Sequence, residues 1–140
     1  MYCTLDDIKE QIPADELIGL TDDADAGIID TSATDRAAAD ADAEIDGYCG
    51  KRYSVPLSPV PPIIRKISVD ISIYNLFSRR QGAPEDRRLR YKDAIKFLEN
   101  VARGLISLGV DDPDATPSEA HKPQISFSDR IFSRDDFKGW

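Results

Sequence analysis

The stretch SVPLSPVPP, Ser54 to Pro62, constrains this chain more than any other. Its four prolines each fix φ and remove a backbone donor, so no helix and no interior strand can run through it. The stretch reads as an extended, polyproline-like connector, a stiff spacer that swings the chain from one helix to the next. The same composition also suits a ligand for a proline-binding groove.

On either side of the connector the apolar residues recur at helical spacing. Pro61 and Pro62 are placed to open a long helix that runs to about Arg80. Ile63, Ile64, Ile67, Ile71, Tyr74 and Phe77 or Ser78 form its stripe, widened by Val69, Ile73 and Leu76. It is the most apolar segment, and the spacing predicts the central core helix. The QGAP turn, Gln81 to Pro84, then breaks the chain. Leu89, Ile95, Leu98, Ala102, Leu105 and Leu108 predict a further helix over 84–107, capped by Gly109. Two long helices joined by so short a turn are antiparallel neighbours.

Before the connector, Thr4 and Asp7 form a helix-capping pattern, and a short helix is expected over 5–11. Pro13 starts a second, over 13–19, ended by Gly19. Residues 32–50 read as a long helix whose apolar face, Ala33, Ala37, Ala41, Ile45, Tyr48 and Cys49, is mostly alanine, so a neighbour can come close. The expected fold is therefore all-α: a small helical bundle with two long antiparallel C-terminal helices. Residues 1–109 form this helical domain. Residues 110–140 read as a polar, proline-containing linker and an extended tail, with QISF and RIFS as short strands.

The segment TDDADAGIID, Thr21 to Asp30, raises a calcium loop. With Gly27 at the turn position of such a loop, Asp22 is the first ligand and Ile29 fills the apolar position that follows the glycine. Ala24, Ala26 and Ala33 then occupy the other carboxylate positions. The pattern fits better as a polar turn whose Asp or Thr caps the next helix. No metal or other cofactor is expected.

Charge is segregated along the chain. Residues 1–50 hold 14 acids and 2 bases, residues 51–110 hold 5 acids and 12 bases, and residues 111–140 hold 7 acids and 4 bases. Helices of opposite sign can pair inside one domain, and can also meet head to tail between copies. The net charge of −8 argues against simple DNA binding. The basic cluster of Arg79, Arg80, Arg87, Arg88 and Arg90 fits solvated helix ends or contacts to an acidic partner better than a duplex.

Enzymatic constellations are missing. The one histidine, His121, lies in the linker, and there is no glycine-rich phosphate loop. Cys3 and Cys49 read as reduced thiols of a cytoplasmic protein. Residues 4–11 are polar, so no signal peptide is expected. The longest uncharged run, Tyr53 to Ile64, is too short to span a bilayer, so no membrane association is expected either.

Several stretches occur in an order that carries a resemblance: LTDDADAGIID, AEIDGYCGKRYSVPLSPVPP, the core helix, SLGVDD and RIFSRDDFKGW. On them the chain resembles the small neck proteins of Mu-like bacteriophages and prophages, a family similar to phage head–tail connector (adaptor) proteins. The resemblance implies a structural virion protein. It implies a ring, usually of twelve copies, between the portal of the filled capsid and the stopper or tail-side connector. The genome DNA passes through without specific binding. It also implies residence in the virion neck after assembly in the bacterial host cytoplasm. Phe132, Arg134, Phe137 and Trp140 are the expected portal-docking residues of the tail, which orders on binding. Arg79, Arg80, Arg87 and Arg88 are further candidates for partner contacts. The rival readings are a prophage-encoded DNA-binding regulator and a calcium-responsive helical module.

Overall fold

The computed structural model describes residues 1–80 and 82–110. Five helices follow in order: α1 (Leu5–Gln11), α2 (Ala14–Thr21), α3 (Thr31–Cys49), α4 (Pro62–Ser78) and α5 (Glu85–Ala102). The all-α expectation holds among these residues. The strands expected in QISF and RIFS, and the tail as a whole, lie outside them.

The local chemistry sets most boundaries. Thr4 and Asp7 close a reciprocal capping box at the start of α1, with the Thr4 amide donating to Asp7 at 2.8 Å. Asp30 caps α3 by accepting from the Ser32 amide at 2.9 Å. Pro61 precedes α4 and supplies its first acceptor carbonyl. Two ends differ from expectation. Helix α2 runs through Gly19 to Thr21, because Leu20 and Thr21 are buried and the Thr21 hydroxyl donates to the Leu17 carbonyl. The last helix stops at Ala102, not near 107. Gly104 takes a left-handed φ of 79°, and its amide and that of Leu105 turn back onto Val101 and Asn100. The positive φ favours glycine at 104, and a Cβ there would also displace the Arg52 guanidinium.

The three long helices make the framework. Helix α4 is buried almost all round from Ile67 to Ile73, as a central helix must be. Its N-terminal half packs Ile64, Ile67 and Ile71 with Ala41, Ile45 and Cys49 of α3 and Ala94, Leu98 and Val101 of α5. Its C-terminal half packs Ile73, Leu76 and Phe77 with Ala37 and Ala38 of α3 and with Ile8, Ile12, Leu17 and Leu20 of the short helices. The alanines of α3 bring its backbone close to α4, and Asn75 reaches across to the Ala37 carbonyl. Tyr74 of α4 stacks on Tyr91 of α5 with ring centroids 4.0 Å apart.

The proline connector is folded back over this core. Tyr53 and Leu57 are buried, and the Val55–Pro56 and Ser58–Pro59 peptide bonds are cis. No helix among the described residues is long and apolar enough to cross a membrane.

Candidate interaction sites

Three polar constructions stand out from the apolar framework. The first joins the acidic turn between α2 and α3 to the end of α4. Asp22 spends its carboxylate on the turn itself, accepting from the amides of Ala26 at 2.9 Å and Gly27 at 2.7 Å. Asp23 is gripped by two arginines. Arg79 donates to it at 2.5 and 3.2 Å, and Arg80 through Nε at 3.2 Å and through a closer Nη2 contact. Both arginines also bind the backbone, Arg79 at the Leu20 carbonyl and Arg80 at that of Asp22. The Arg79 and Arg80 hydrogen bonds hold the Asp23 carboxyl down at about 2, against an ordinary value of 3.8. The amides of Ala26 and Gly27 likewise lower Asp22.

This is how the aspartate-rich turn is used. Its first two carboxylates serve the protein's own donors, and no group of His, Cys, Asp and Glu placed to hold a metal ion is found among the described residues. Arg87 and Arg88 of the basic cluster are also turned to the protein. Arg87 donates to the Gln11 carbonyl at 3.1 Å and Arg88 to Glu85 at 2.6 Å. Arg79 and Arg80 therefore come together, whereas Arg87 and Arg88 point to separate acceptors. Phe132, Arg134, Phe137 and Trp140 lie outside the described residues.

The second construction was not foreseen from the sequence. Tyr2 is buried and ties three segments together. Its amide donates to Asp42 of α3 at 3.1 Å, its hydroxyl donates to Asp46 one turn further on, and that hydroxyl accepts from the Leu57 amide at 2.9 Å. Burial and the Asp46 contact push the phenol far above its ordinary range, so it stays a neutral donor. Asp42 also receives the Met1 amino group at 3.7 Å and the Ser68 hydroxyl at 3.4 Å. The available signal was the Asp42/Asp46 spacing of one helical turn, on the edge of α3 that faces neither solvent alone nor the core alone.

The third construction is the outer surface of the α4–α5 hairpin. A groove of about 200 Å³ runs between the helices, floored by Ile63, Ile67, Ala94 and Phe97. Lys66 and Arg90 line it and also line a neighbouring cleft of about 260 Å³ that Arg65 and α1 complete. Lys66 is paired with the buried Asp70 at 3.1 Å.

None of these constructions assembles a nucleophile with a base; they are surfaces and ties. Comparison with known proteins says what kind of chain carries them. The family model described as Bacteriophage Mu, Gp36 matches residues 2–127. This chain belongs to the phage Mu gp36 family. The match spans Tyr2, the arginine–aspartate tie, the connector and all five helices, and ends before Phe132. Within the gp36 family, the chain is 34% identical to the Mu-like prophage FluMu protein gp36 of Haemophilus influenzae over 116 residues, which cover 83% of this chain and 81% of that one. It is 29% identical to gene product J of Escherichia phage Mu over 135 residues, covering 95% of this chain and 94% of that one. Membership in the gp36 family makes it a phage protein.

Proposed function

We propose that the chain is a structural virion protein, a head–tail connector (adaptor) that forms a ring beneath the portal, through which the genome passes and to which the tail side attaches. The observation that carries this reading is the charge surface that remains once internal pairs are formed. Arg79 and Arg80 close on Asp23, Leu20 and Asp22 of the same chain, which leaves them poorly placed to grip a duplex. The acidic α1–α3 half keeps most of its carboxylates exposed, a surface that repels DNA phosphates. A lumen so lined lets the genome slide without sticking.

In this reading the partners are the portal protein above, a stopper or tail-side connector below, and further copies of the same chain, twelve to a ring. The chain resides in the virion neck after assembly in the host cytoplasm, and it has no enzymatic role. Phe132, Arg134, Phe137 and Trp140 dock the tail to the portal, paying the ordering cost on binding.

The test is to cross-link purified phage particles from the source strain and identify the linked peptides by mass spectrometry. Links from residues 124–140 to the portal, together with links between identical copies, are the expected result. A chain absent from particles and recovered only from the host cytosol would overturn the reading.

A further inference from the structure

A cleft of about 450 Å³ opens between the proline connector and the turn that follows α5. Tyr53, Leu57, Pro59 and Val110 give it apolar walls, and Ser54 and Ser58 add hydroxyls. The walls are held from beneath. Tyr53 and Leu57 are buried in the core cluster, and the half-buried Val110 packs against the same cluster. The Leu57 amide is tied to the Tyr2 hydroxyl at 2.9 Å, and the Leu108 amide to the Tyr53 hydroxyl at 3.1 Å. The cleft is therefore formed before anything enters it.

The connector beside it is open to hydrogen bonding. Residues 54–60 make no backbone–backbone hydrogen bond among the described residues. An extended segment laid along the connector can donate to its carbonyls while alternate side chains enter the cleft.

The chain's own continuation is placed to do this. Val110 lines the cleft, so the residues after it start at the rim. Residues 111–123, DDPDATPSEAHKP, contain no large apolar side chain. The first to follow are Ile125 and Phe127 in QISF, two positions apart and so on one face of an extended segment. The thirteen intervening residues reach up to about 45 Å, ample for a return to the rim. The gp36 family match ends at residue 127, so it takes in QISF and leaves out Phe132, Arg134, Phe137 and Trp140.

We propose that QISF of the same chain, residues 124–127, seats in this cleft, with Ile125 and Phe127 against Tyr53, Leu57 and Val110. A tether of this length presents the segment at roughly millimolar concentration, so a contact with a Kd of about 1 mM fills about half of the clefts. The proposal goes beyond the connector reading and does not rest on it, because the contact is made within a single free copy. In a connector, it would keep the root of the tail against the body of its own copy and leave residues 128–140 to reach the portal.

Disulfide trapping in the full chain tests this. The native Cys3 and Cys49 are buried, so introduced thiols report alone. Ser58→Cys places one thiol at the cleft, and Ser128→Cys places the other just past QISF. Asp15→Cys is the distant control, exposed on α2, whose buried residues belong to the other core cluster. Under mild oxidation, the intrachain disulfide of Ser58→Cys with Ser128→Cys is expected to form at least about tenfold faster than that of Asp15→Cys with Ser128→Cys. The rate is expected to be independent of protein concentration. Adding Ile125→Ser and Phe127→Ser is expected to bring it down to that of the control. Circular dichroism checks that each variant is helical, and Ser54→Cys, at the same cleft, stands in should Ser58→Cys not fold.

Equal rates in the two pairs would overturn the proposal. So would a rate that the two serines leave unchanged, or a disulfide that forms only between copies. The two readings fail separately. Equal rates remove the cleft contact and leave the connector in place. A chain missing from particles removes the connector, whatever its disulfide rates.

Discussion

Asp23 is an exposed carboxylate that two arginines have made strongly acidic. Its folded value of about 2 lies below the ordinary 3.8, so the native state holds the charged form more firmly than the unfolded chain does. The stability it adds is fully present above about pH 4 and is lost as the pH falls towards 2. Thermal melts between pH 2 and 7 should show the melting temperature of the wild type falling through that window. Asp23→Asn should start lower at neutral pH and fall less steeply. Tyr2 acts in the opposite sense, through a proton it does not give up. In Tyr2→Phe the buried Leu57 amide loses its acceptor and Asp46 loses a donor, which should cost about 1–3 kcal/mol in denaturant unfolding. Neither contact was legible in the sequence. Arg79 and Asp23 are 56 positions apart, and Tyr2 and Leu57 are 55 apart. Charge patterning names the arginines but not their acceptors.

At the scale of elements, periodicity carried far. The stripe Ile64, Ile67 and Ile71 is fully or almost fully buried, and the alanine face of α3 does lie against α4. The two ends that moved did so for local reasons. Gly19 costs α2 about 1 kcal/mol relative to alanine, and the burial of Leu20 and Thr21 outweighs it and extends the helix. Leu105 and Leu108 continue the helical spacing of α5 but not its backbone, because Gly104 turns the chain and sets Leu108 against Tyr53, whose hydroxyl accepts from the Leu108 amide at 3.1 Å. The same helix supplies a paired test of what burial is worth. Leu98 is wholly enclosed between α3 and α4, whereas Leu89 is 49% exposed. Leu98→Ala should destabilise the chain by about 2–5 kcal/mol, and Leu89→Ala by less than about 1 kcal/mol. Equilibrium urea unfolding of the two variants measures the difference directly.

For the whole molecule, charge segregation was readable from the sequence, but not the part of it that internal pairing consumes. Two of the twelve bases in 51–110 close on Asp23, and Lys66 closes on Asp70, within its own helix. The expected docking residues of the tail fall outside the described residues, so the boundary near 109 is tested by truncation. A chain lacking residues 124–140 should keep its helical circular dichroism and its melting temperature, yet fail to complement a null phage for infectious particles. Infectious particles from the truncated chain would detach the tail from portal docking.

The separation of acids in 1–50 from bases in 51–110 has one more effect, which belongs to the molecule as an electrical object. A lone copy carries a permanent dipole that the field of a phosphate-packed capsid would turn. In the ring proposed above, copies related by rotation would carry dipoles whose in-plane sum vanishes by symmetry. Such a ring would therefore feel no net in-plane torque from the genome's field, whereas an incomplete arc would.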